Sequence, residues 1–363
     1  MMTTWSFSRG VLRGSPATVL LAAWAVILVG IAAGRIAADD AVPGTDDRHY
    51  AVAEAMFLQR NNAAAPENVV VNSTTPRVPV LTAADPAYAV GTGARILYGD
   101  YGREGIGWEV GYLGVYGMNA DATVTNPAAT LQAAGDLGFA TPSGLYDGEA
   151  ANIALTSTLN SAEANLVLHR YGGGRDLASR YPWQRSHGYV GGHVDWLAGF
   201  RWAGLDETAV LGITPSGFPA ANTYSVQATS NLFAAQAGVR GRVAWDRWAF
   251  EGFAKVGLAG TSLHQSQTFF NQLAPGDPFR GLPPRSGDRT GMGMIADMNL
   301  SAIYRITETW GLRVGYNLLW LTGVALAADQ WDFAGDPAGA GTAVHGTGSV
   351  FLNGANAGFE ARW

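Results

Sequence analysis

The sequence predicts an all-β protein: an antiparallel up-and-down transmembrane β-barrel of about ten strands (eight to twelve). Apolar residues recur at alternate positions in segment after segment. Only 14% of the 363 residues are charged, whereas a soluble domain carries roughly a quarter. Beyond the N-terminus no apolar run approaches the ~18 residues of a membrane helix. Together these observations indicate strands with one face against lipid.

The N-terminus is the one segment with helical hydrophobicity. Arg9 and Arg13 precede an apolar run over 17–33, and small residues follow as far as Ala38. This order predicts a secretory signal peptide over residues 1–38, with an uncleaved membrane anchor as the alternative. Residues 39–48 then form a polar linker, and residues 49–363 form the barrel. Cysteine is absent, which excludes disulfides and thiol chemistry.

The segment 310–320 shows the strand pattern most clearly. Its even positions are all large and apolar, and the series begins at Trp310 and ends at Trp320. Ten residues at ~3.4 Å each, tilted by ~40°, span a height of ~25 Å, the apolar band of a membrane barrel. Taken alone, this segment equally fits a half-buried strand of a soluble sandwich. Its recurrence favours the barrel.

The other strands follow the same alternation in chain order. They are predicted over 50–60, 94–100, 106–116, about 162–170, 193–202, 233–240, 248–258, 297–305 and from about 351 to 363. The connections between strands alternate between short and long, as in outer-membrane barrels. Short turns are predicted at 101–105, 242–247 and 306–309. The connection 171–191 is the exception to the alternation, because it is long where a short turn is expected. Long loops are predicted at 61–92, 117–152, 206–222, 260–288 and 323–345.

The two faces of the strands differ in charge. The apolar face carries almost none, whereas the opposite face, which includes Glu54, is rich in glycine and carries charges of both signs. We expect that face to line the lumen and to set the selectivity of a pore through Glu109, Glu163, Asp195, Arg201, Arg240, Glu251, Lys255, Asp297, Arg305, Arg313 and Glu360. Aromatic residues near the strand ends predict interfacial girdles. The girdle residues are Trp108, Tyr116, Trp202, Trp248, Tyr304, Trp310, Trp320 and Trp363.

Eight short segments carry a resemblance to a known family. They are AEA (53–55), GWEVGY (107–112), EANL (163–166), LAGFRW (197–202), NLF (231–233), GVRG (238–241), GYNLLW (315–320) and FLNGA (351–355). The sequence thereby resembles the outer-membrane porins called putative beta-barrel porin-7. The resemblance implies an outer-membrane barrel with a pore role, without an assigned substrate or catalytic residues. Cysteines common in the fourth connection of that family are absent here.

Few residues suggest chemistry. His193 and Asp195 share a strand face and are close enough to hold a metal ion or a proton, but spacing supplies no third ligand, so a lumen hydrogen bond is the favoured interpretation. His169, which is also predicted to point inward, is no stronger a candidate for a metal ligand or a catalytic residue. No motif of a hydrolase, metalloprotease or phosphate loop occurs. We therefore predict no enzyme activity, catalytic residue, metal or cofactor.

The predicted function is a passive pore for small solutes in the outer membrane. A ten-stranded barrel leaves at best a narrow channel, so a structural or adhesive surface barrel is the alternative, and a barrel-mouth hydrolase a more remote one. The expected partners are outer-membrane lipid and the barrel-assembly machinery, which would recognise the last strand through Trp363. The net charge of −6 argues against nucleic acid. Solute and oligomeric state stay open.

Overall fold

The computed structural model describes residues 49–73, 77–102, 105–135, 148–176, 189–217, 221–245, 247–269, 284–333 and 341–363. The predicted signal peptide and linker lie outside these ranges. The strands are β1 His49–Arg60, β2 Asn68–Asn72, β3 Val78–Thr82, β4 Gly91–Asp100, β5 Ile106–Thr125, β6 Leu131–Ala133, β7 Gly148–Asp176, β8 Tyr189–Pro215, β9 Asn222–Trp245, β10 Trp248–Thr268, β11 Arg285–Arg305, β12 Trp310–Val324 and β13 Gly348–Arg362.

Ten of these strands close into a ring in which all neighbours are antiparallel. The order is β1, β4, β5, β7, β8, β9, β10, β11, β12 and β13, and β13 pairs with β1. The predicted all-β class and the ten-stranded barrel are therefore confirmed. Strands β2, β3 and β6 form a small side sheet that joins β7. No helix in the described ranges is long and apolar enough to cross a membrane.

The two ends of the barrel differ. At one end, here called the short-turn end, β1 begins and β13 ends, and tight connections join β4 to β5, β9 to β10 and β11 to β12. In the first of these turns Gly102 and Gly105 adopt φ values of 67° and 75°, a left-handed conformation that glycine adopts at little cost. Strand β7 also ends and β8 begins at the short-turn end. The opposite end, the long-loop end, carries the connections from β1 to β4, β5 to β7, β8 to β9, β10 to β11 and β12 to β13, together with the side sheet.

The strands extend into the segments for which the sequence predicts long loops. Strand β8 continues to Pro215 and β9 begins at Asn222, so most of 206–222 is sheet. Likewise β5, β6 and β7 enter 117–152, β10 and β11 enter 260–288, and β2, β3 and β4 enter 61–92. Strands β7 to β11 reach 21 to 29 residues, whereas crossing a membrane takes ~9–11.

A reversal of polarity along these strands explains why the sequence pattern hides their length. In β8, Trp196 and Phe200 point outward and are exposed, while Asp195 and Arg201 are buried inside. Beyond Trp202 the inward residues are apolar, such as Leu205, except for Glu207, and the outward ones are mostly polar or small. We call the part with the apolar exterior the lower barrel and the part beyond the level of Trp202 the extension. A search for apolar outward faces finds only the lower barrel.

Candidate functional site: the barrel lumen

Buried ion pairs fill the lumen of the lower barrel. Seven carboxylates and seven cations meet there among the described residues, so the formal charges balance. The carboxylates are Glu54, Glu109, Glu163, Asp195, Glu251, Asp297 and Glu360. The cations are Arg95, Arg201, Arg240, Arg242, Lys255, Arg313 and Arg362. Each makes at least one ion pair with a member of the other set.

The first cluster of ion pairs lies near the short-turn end around Arg313. Its Nε donates to Glu54 Oε1 at 2.9 Å, and its Nη1 reaches Glu251 at 2.9 Å and Glu360 at 3.1 Å. Arg242 bridges the same two glutamates, at 2.6 Å from Glu360 Oε1 and 3.2 Å from Glu251 Oε2. Residues from β1, β9, β10, β12 and β13 thus meet at the barrel axis.

The second cluster lies farther from the short-turn end and centres on Asp297. This carboxylate accepts hydrogen bonds from Arg95 Nη2 at 3.1 Å and from Arg201 Nη1 at 2.8 Å. Beside it, Lys255 pairs with Glu163, which also accepts from Gln236 Nε2 at 2.9 Å. Arg95, on β4, therefore reaches across the lumen to β11.

The third cluster centres on Arg240. Its guanidinium lies 2.6 Å from Asp195 Oδ2 and 2.7 Å from Glu109 Oε2. The Tyr50 hydroxyl donates to Glu109 at 2.8 Å and accepts from Arg240 Nη2 at 2.9 Å. Asp195 also bonds the Nδ1 of His169. These contacts satisfy charges whose burial without partners would cost several kcal/mol each.

All but one of the predicted lumen residues point inward. Arg305 is the exception: it ends β11 at the short-turn end and its side chain is exposed, so its prediction as a lumen residue is wrong, because the alternation ends one residue earlier. The sequence did not single out Arg95, Arg242 and Arg362. Arg242 lies just beyond the predicted sixth strand. Arg95 and Arg362 lie within predicted strands, and the position of Arg362 two residues after Glu360 is the signal that could have identified it as a lumen residue.

A small cavity remains within these clusters. It leaves about 30 Å³ open to water and is bordered by Glu109, Glu163, Arg201, Lys255 and Asp297. A water molecule needs ~10–15 Å³ of such space and two to four polar partners. The cavity can therefore hold on the order of two water molecules, which is far less than a continuous aqueous channel.

The lumen of the extension is mainly apolar, although it also holds buried polar groups such as the Glu207–Arg60 ion pair. Leu113, Ile153, Leu205 and Leu211, each less than 5% exposed, belong to a single core that also includes Val350. This part of the chain has the polarity of a soluble β-barrel, with an apolar interior and a more polar exterior. The core lies directly beyond the second cluster of ion pairs, so the lumen has an ionic layer followed by an apolar layer.

Residues 324–331, which begin at the last residue of β12, fold into the mouth of the extension. The Ala325 amide donates to Ser230 Oγ at 2.9 Å, and the Ala327 amide donates to Glu207 Oε2 at 3.0 Å. Glu207 also pairs with Arg60 at 2.5 Å. A short 3-10 helix, Ala327–Gln330, is part of this segment. We call residues 324–331 the mouth segment.

The carboxyl group of Asp329, in the mouth segment, and the phenol of Tyr88, near it, have raised pKa values. Burial, more than any other cause, raises the pKa of Asp329, and the charges of Glu207 and Glu67 add to the shift. The Ala65 amide donates to Asp329 Oδ1 at 2.8 Å and opposes it. Burial likewise raises the pKa of the Tyr88 phenol.

The predicted girdle residues lie on the outward face. Trp108, Trp248, Trp310 and Trp363 are exposed at the short-turn end, with Trp248 and Tyr304 rings in edge contact at 5.0 Å. At the other girdle Trp202 Nε1 donates to Asn231 at 3.0 Å, Tyr116 donates to Asn160 at 2.7 Å, and Trp320 is partly exposed. Aromatic rings with a satisfied polar atom suit a membrane–water interface.

Comparison with known proteins gives one family. The family model described as Putative beta barrel porin-7 matches residues 150–348, more than half of the 363-residue chain. No curated protein matches the chain. Among solved structures, the outer membrane protease OmpT from Escherichia coli is 11% identical, with 89% of this chain and 99% of that chain covered at a TM-score of 0.47. The toluene transporter TodX from P. putida is 9% identical, with 88% and 90% covered at a TM-score of 0.18.

Proposed function

Since the chain belongs to the family Putative beta barrel porin-7 and is an outer-membrane β-barrel, we propose that it serves as a structural or adhesive surface protein. In this proposal the lower barrel anchors the chain in lipid and the extension is displayed outside the cell. The lumen does not conduct. The observation that supports this proposal is the filling of the lumen, by ion pairs in the lower barrel and by a mainly apolar core in the extension.

The ionic layer opposes conduction. A solute that crosses the lower barrel has to separate groups such as Arg313 and its three glutamates, or Asp297 and its two arginines. Removing one partner of a buried ion pair costs ~3–5 kcal/mol, and several pairs lie in series. Barrels of about eight strands have interiors filled by side chains, whereas porins with an aqueous channel have ~16–18 strands.

The apolar layer opposes conduction for a different reason. An ion in the extension would face leucine and isoleucine side chains of the core and the docked mouth segment. The apolar side chains offer no groups that replace the hydration shell of the ion, and the charged groups buried there, Glu207 and Arg60, pair with each other. The two layers together close the lumen through the described residues.

The length of the extension supports display at the surface. Strand β8 continues from Trp202 to Pro215; thirteen residues at ~3.3 Å each, tilted by ~40°, rise ~33 Å above the girdle. In outer-membrane barrels the short turns face the periplasm and the long loops face the exterior. The extension and the side sheet would therefore lie outside the cell.

A passive pore is the second candidate, and two observations favour it. The family description names a porin, and the lower lumen holds a cavity bordered by charges of both signs. In this case the mouth segment would have to leave the extension before solute could pass. The predicted lumen residues would then set the selectivity.

Planar-bilayer conductance separates the two candidates. We expect folded wild-type protein, checked by heat-modifiable gel migration, to insert without steady unitary steps. The variant Glu251→Lys serves as the control, because a change in lumen charge alters the ion selectivity of a pore but leaves a closed barrel silent. Regular steps whose selectivity changes in Glu251→Lys would establish the pore and overturn the structural proposal.

Export and assembly are proposals that concern the ends of the chain. We propose that residues 1–38 direct export and that β13, with Phe359 outward and Trp363 after it, is recognised by the barrel-assembly machinery. Substitution of Trp363 by Ala should then lower the amount of folded protein in the outer membrane without changing synthesis. The absence of enzyme activity stays a prediction; turnover of a lipid or peptide that is lost in His193→Ala would contradict it.

A further inference from the structure

Three potential metal ligands meet in the lumen close to the short-turn end. His169 on β7 lies directly opposite Asp195 on β8 in the strand register, and His193 precedes Asp195 by two residues on the same face. One ligand atom from each of the three residues can be chosen so that all lie within 4.8 Å of one another. The sequence pairs only His193 with Asp195; the register of β7 against β8 supplies the third ligand.

The hydrogen bonds leave this cluster incomplete. Asp195 bonds the Nδ1 of His169, an arrangement that fixes the orientation of a histidine ring. The Nε2 of His193, in contrast, is buried and has no hydrogen-bond partner among the described residues; the carboxylate oxygen Asp195 Oδ2 is 3.9 Å away. A buried polar atom without a partner is uncommon and needs an explanation. Coordination of a cation supplies one.

We propose that His169, His193 and Asp195 form a binding site for a divalent transition-metal ion of the zinc type. Two imidazoles and a carboxylate match a common donor set for zinc, with bonds of ~2.0–2.2 Å and one position left for water. Tetrahedral coordination places ligand atoms ~3.4 Å apart. Side-chain movements on the order of 1 Å close the present separations to that value.

The surroundings of the site are compatible with an added positive charge. Arg240 lies against Asp195, but Glu109 at 2.7 Å from the same guanidinium offsets its charge. The ring of Tyr101 packs on His169 at 4.2 Å between centroids and on His193 at 5.9 Å. The His193 side chain retains 16% exposure, so an ion can enter from the short-turn end, which the proposed orientation places in the periplasm.

Isothermal titration of the folded, detergent-solubilised protein with Zn²⁺ tests the site. We expect one ion to bind per chain, and His193→Ala or His169→Ala to weaken binding by at least ~10–100-fold, since even outer-shell groups have that effect. His264→Ala is the matched control: His264 bonds Asp288 at 2.8 Å on the extension and has no third ligand in the described residues. This control should bind as the wild type does.

A second measurement guards against misfolding of the variants. His193→Gln keeps a polar side chain of similar size, and its folding is checked by heat-modifiable gel migration before titration. Co²⁺ bound by nitrogen and oxygen ligands should give visible absorption in the wild type and in His264→Ala, but not in His193→Gln. The proposal is overturned if folded wild type binds no Zn²⁺, or if folded His193→Gln binds it equally well. Neither result depends on whether the lumen conducts.

Discussion

At the residue scale, the lower lumen depends on matched charges rather than on apolar packing. Arg313 has the most carboxylate partners of the first cluster, and its side chain is about 3% exposed. A buried cation of this kind compensates the burial of several acids at once. Its removal therefore affects more than one interaction, because each glutamate left behind carries an uncompensated charge.

The first prediction tests this compensation. We expect Arg313→Met to lower the free energy of unfolding by ~3–5 kcal/mol, the usual cost of removing one partner of a buried ion pair. Urea unfolding of the protein in lipid vesicles measures the change. Arg305→Met is the control, because Arg305 is exposed and such surface changes usually stay within ~0.5 kcal/mol. Equal losses in both variants would show that the ion pairs are not the cause.

The second prediction concerns Asp329 in the mouth segment. Its pKa is raised chiefly by burial, so the docked state holds a proton more tightly than the undocked state does. The stability of the docked segment should therefore rise as the pH falls through the raised pKa, and the charged carboxylate should weaken docking at neutral pH. Among the described residues, the charge of His345 and the hydrogen bond from the Ala65 amide oppose the rise of this pKa.

Amide hydrogen exchange of residues 324–331 checks this second prediction. Asp329→Asn should protect the segment more than the wild type at neutral pH, and the difference should shrink on acidification because the wild-type carboxyl also becomes neutral. Asp206→Asn is the control: Asp206 is exposed and accepts a hydrogen bond from Thr229 on the outside of the extension. A difference between Asp329→Asn and wild type that does not change with pH would refute the assignment.

At the scale of elements, the long strands combine two environments in one sheet. Each strand from β7 to β11 continues from the lower barrel into the extension without a break in its pairing to the neighbour across the level of Trp202. The backbone pairing is therefore the same in both parts. The boundary between lipid and water is therefore marked only by the side chains, whose polarity changes at the level of Trp202.

The third prediction locates that boundary. Val314 lies on the outward face of β12 near the middle of the apolar band and is 54% exposed. We expect Val314→Arg to destabilise the barrel in vesicles by ~2–4 kcal/mol, the cost of arginine at the midplane. Ser262→Arg, on the exposed outward face of the extension of β10, should cost ~0–1 kcal/mol. Similar costs at both positions would contradict the division into lower barrel and extension.

At the scale of the whole molecule, the orientation of the barrel follows from its two different ends. The short turns and the start of β1 lie at one end, and the extension lies at the other. If the short-turn end faces the periplasm, the proposed metal site opens to the periplasm and the side sheet faces the exterior. Both consequences depend on the orientation of the barrel in the membrane, which can be tested.

The fourth prediction tests the orientation by labelling single cysteines on intact cells. The chain has no native cysteine, so each introduced thiol is unique. A membrane-impermeant maleimide should label Ser262→Cys, on the extension, in intact cells. Glu308→Cys, exposed in the turn between β11 and β12, should react only after the outer membrane is permeabilised. The reverse pattern would invert the barrel and refute display of the extension.

The sequence by itself determined the barrel class, its membrane setting and most of its lumen residues. These features follow from a local rule, because a strand places successive side chains on opposite faces and lipid requires one of those faces to be apolar. The same rule failed for Arg305 at a strand end and for the extension, where the apolar face changes sides. This rule also did not identify which of the predicted long loops are partly strand.

Only the tertiary structure decided which charges meet and whether space remains between them. Arg313 and Glu54 are 259 residues apart in the chain, and His169 meets Asp195 only through the register of β7 on β8. Such contacts depend on closure of the ring and on the stagger of its strands. The alternation within a single strand carries no information about either. For the same reason, the ion-pair clusters of the lumen and the His169–His193–Asp195 cluster appear only in the folded barrel.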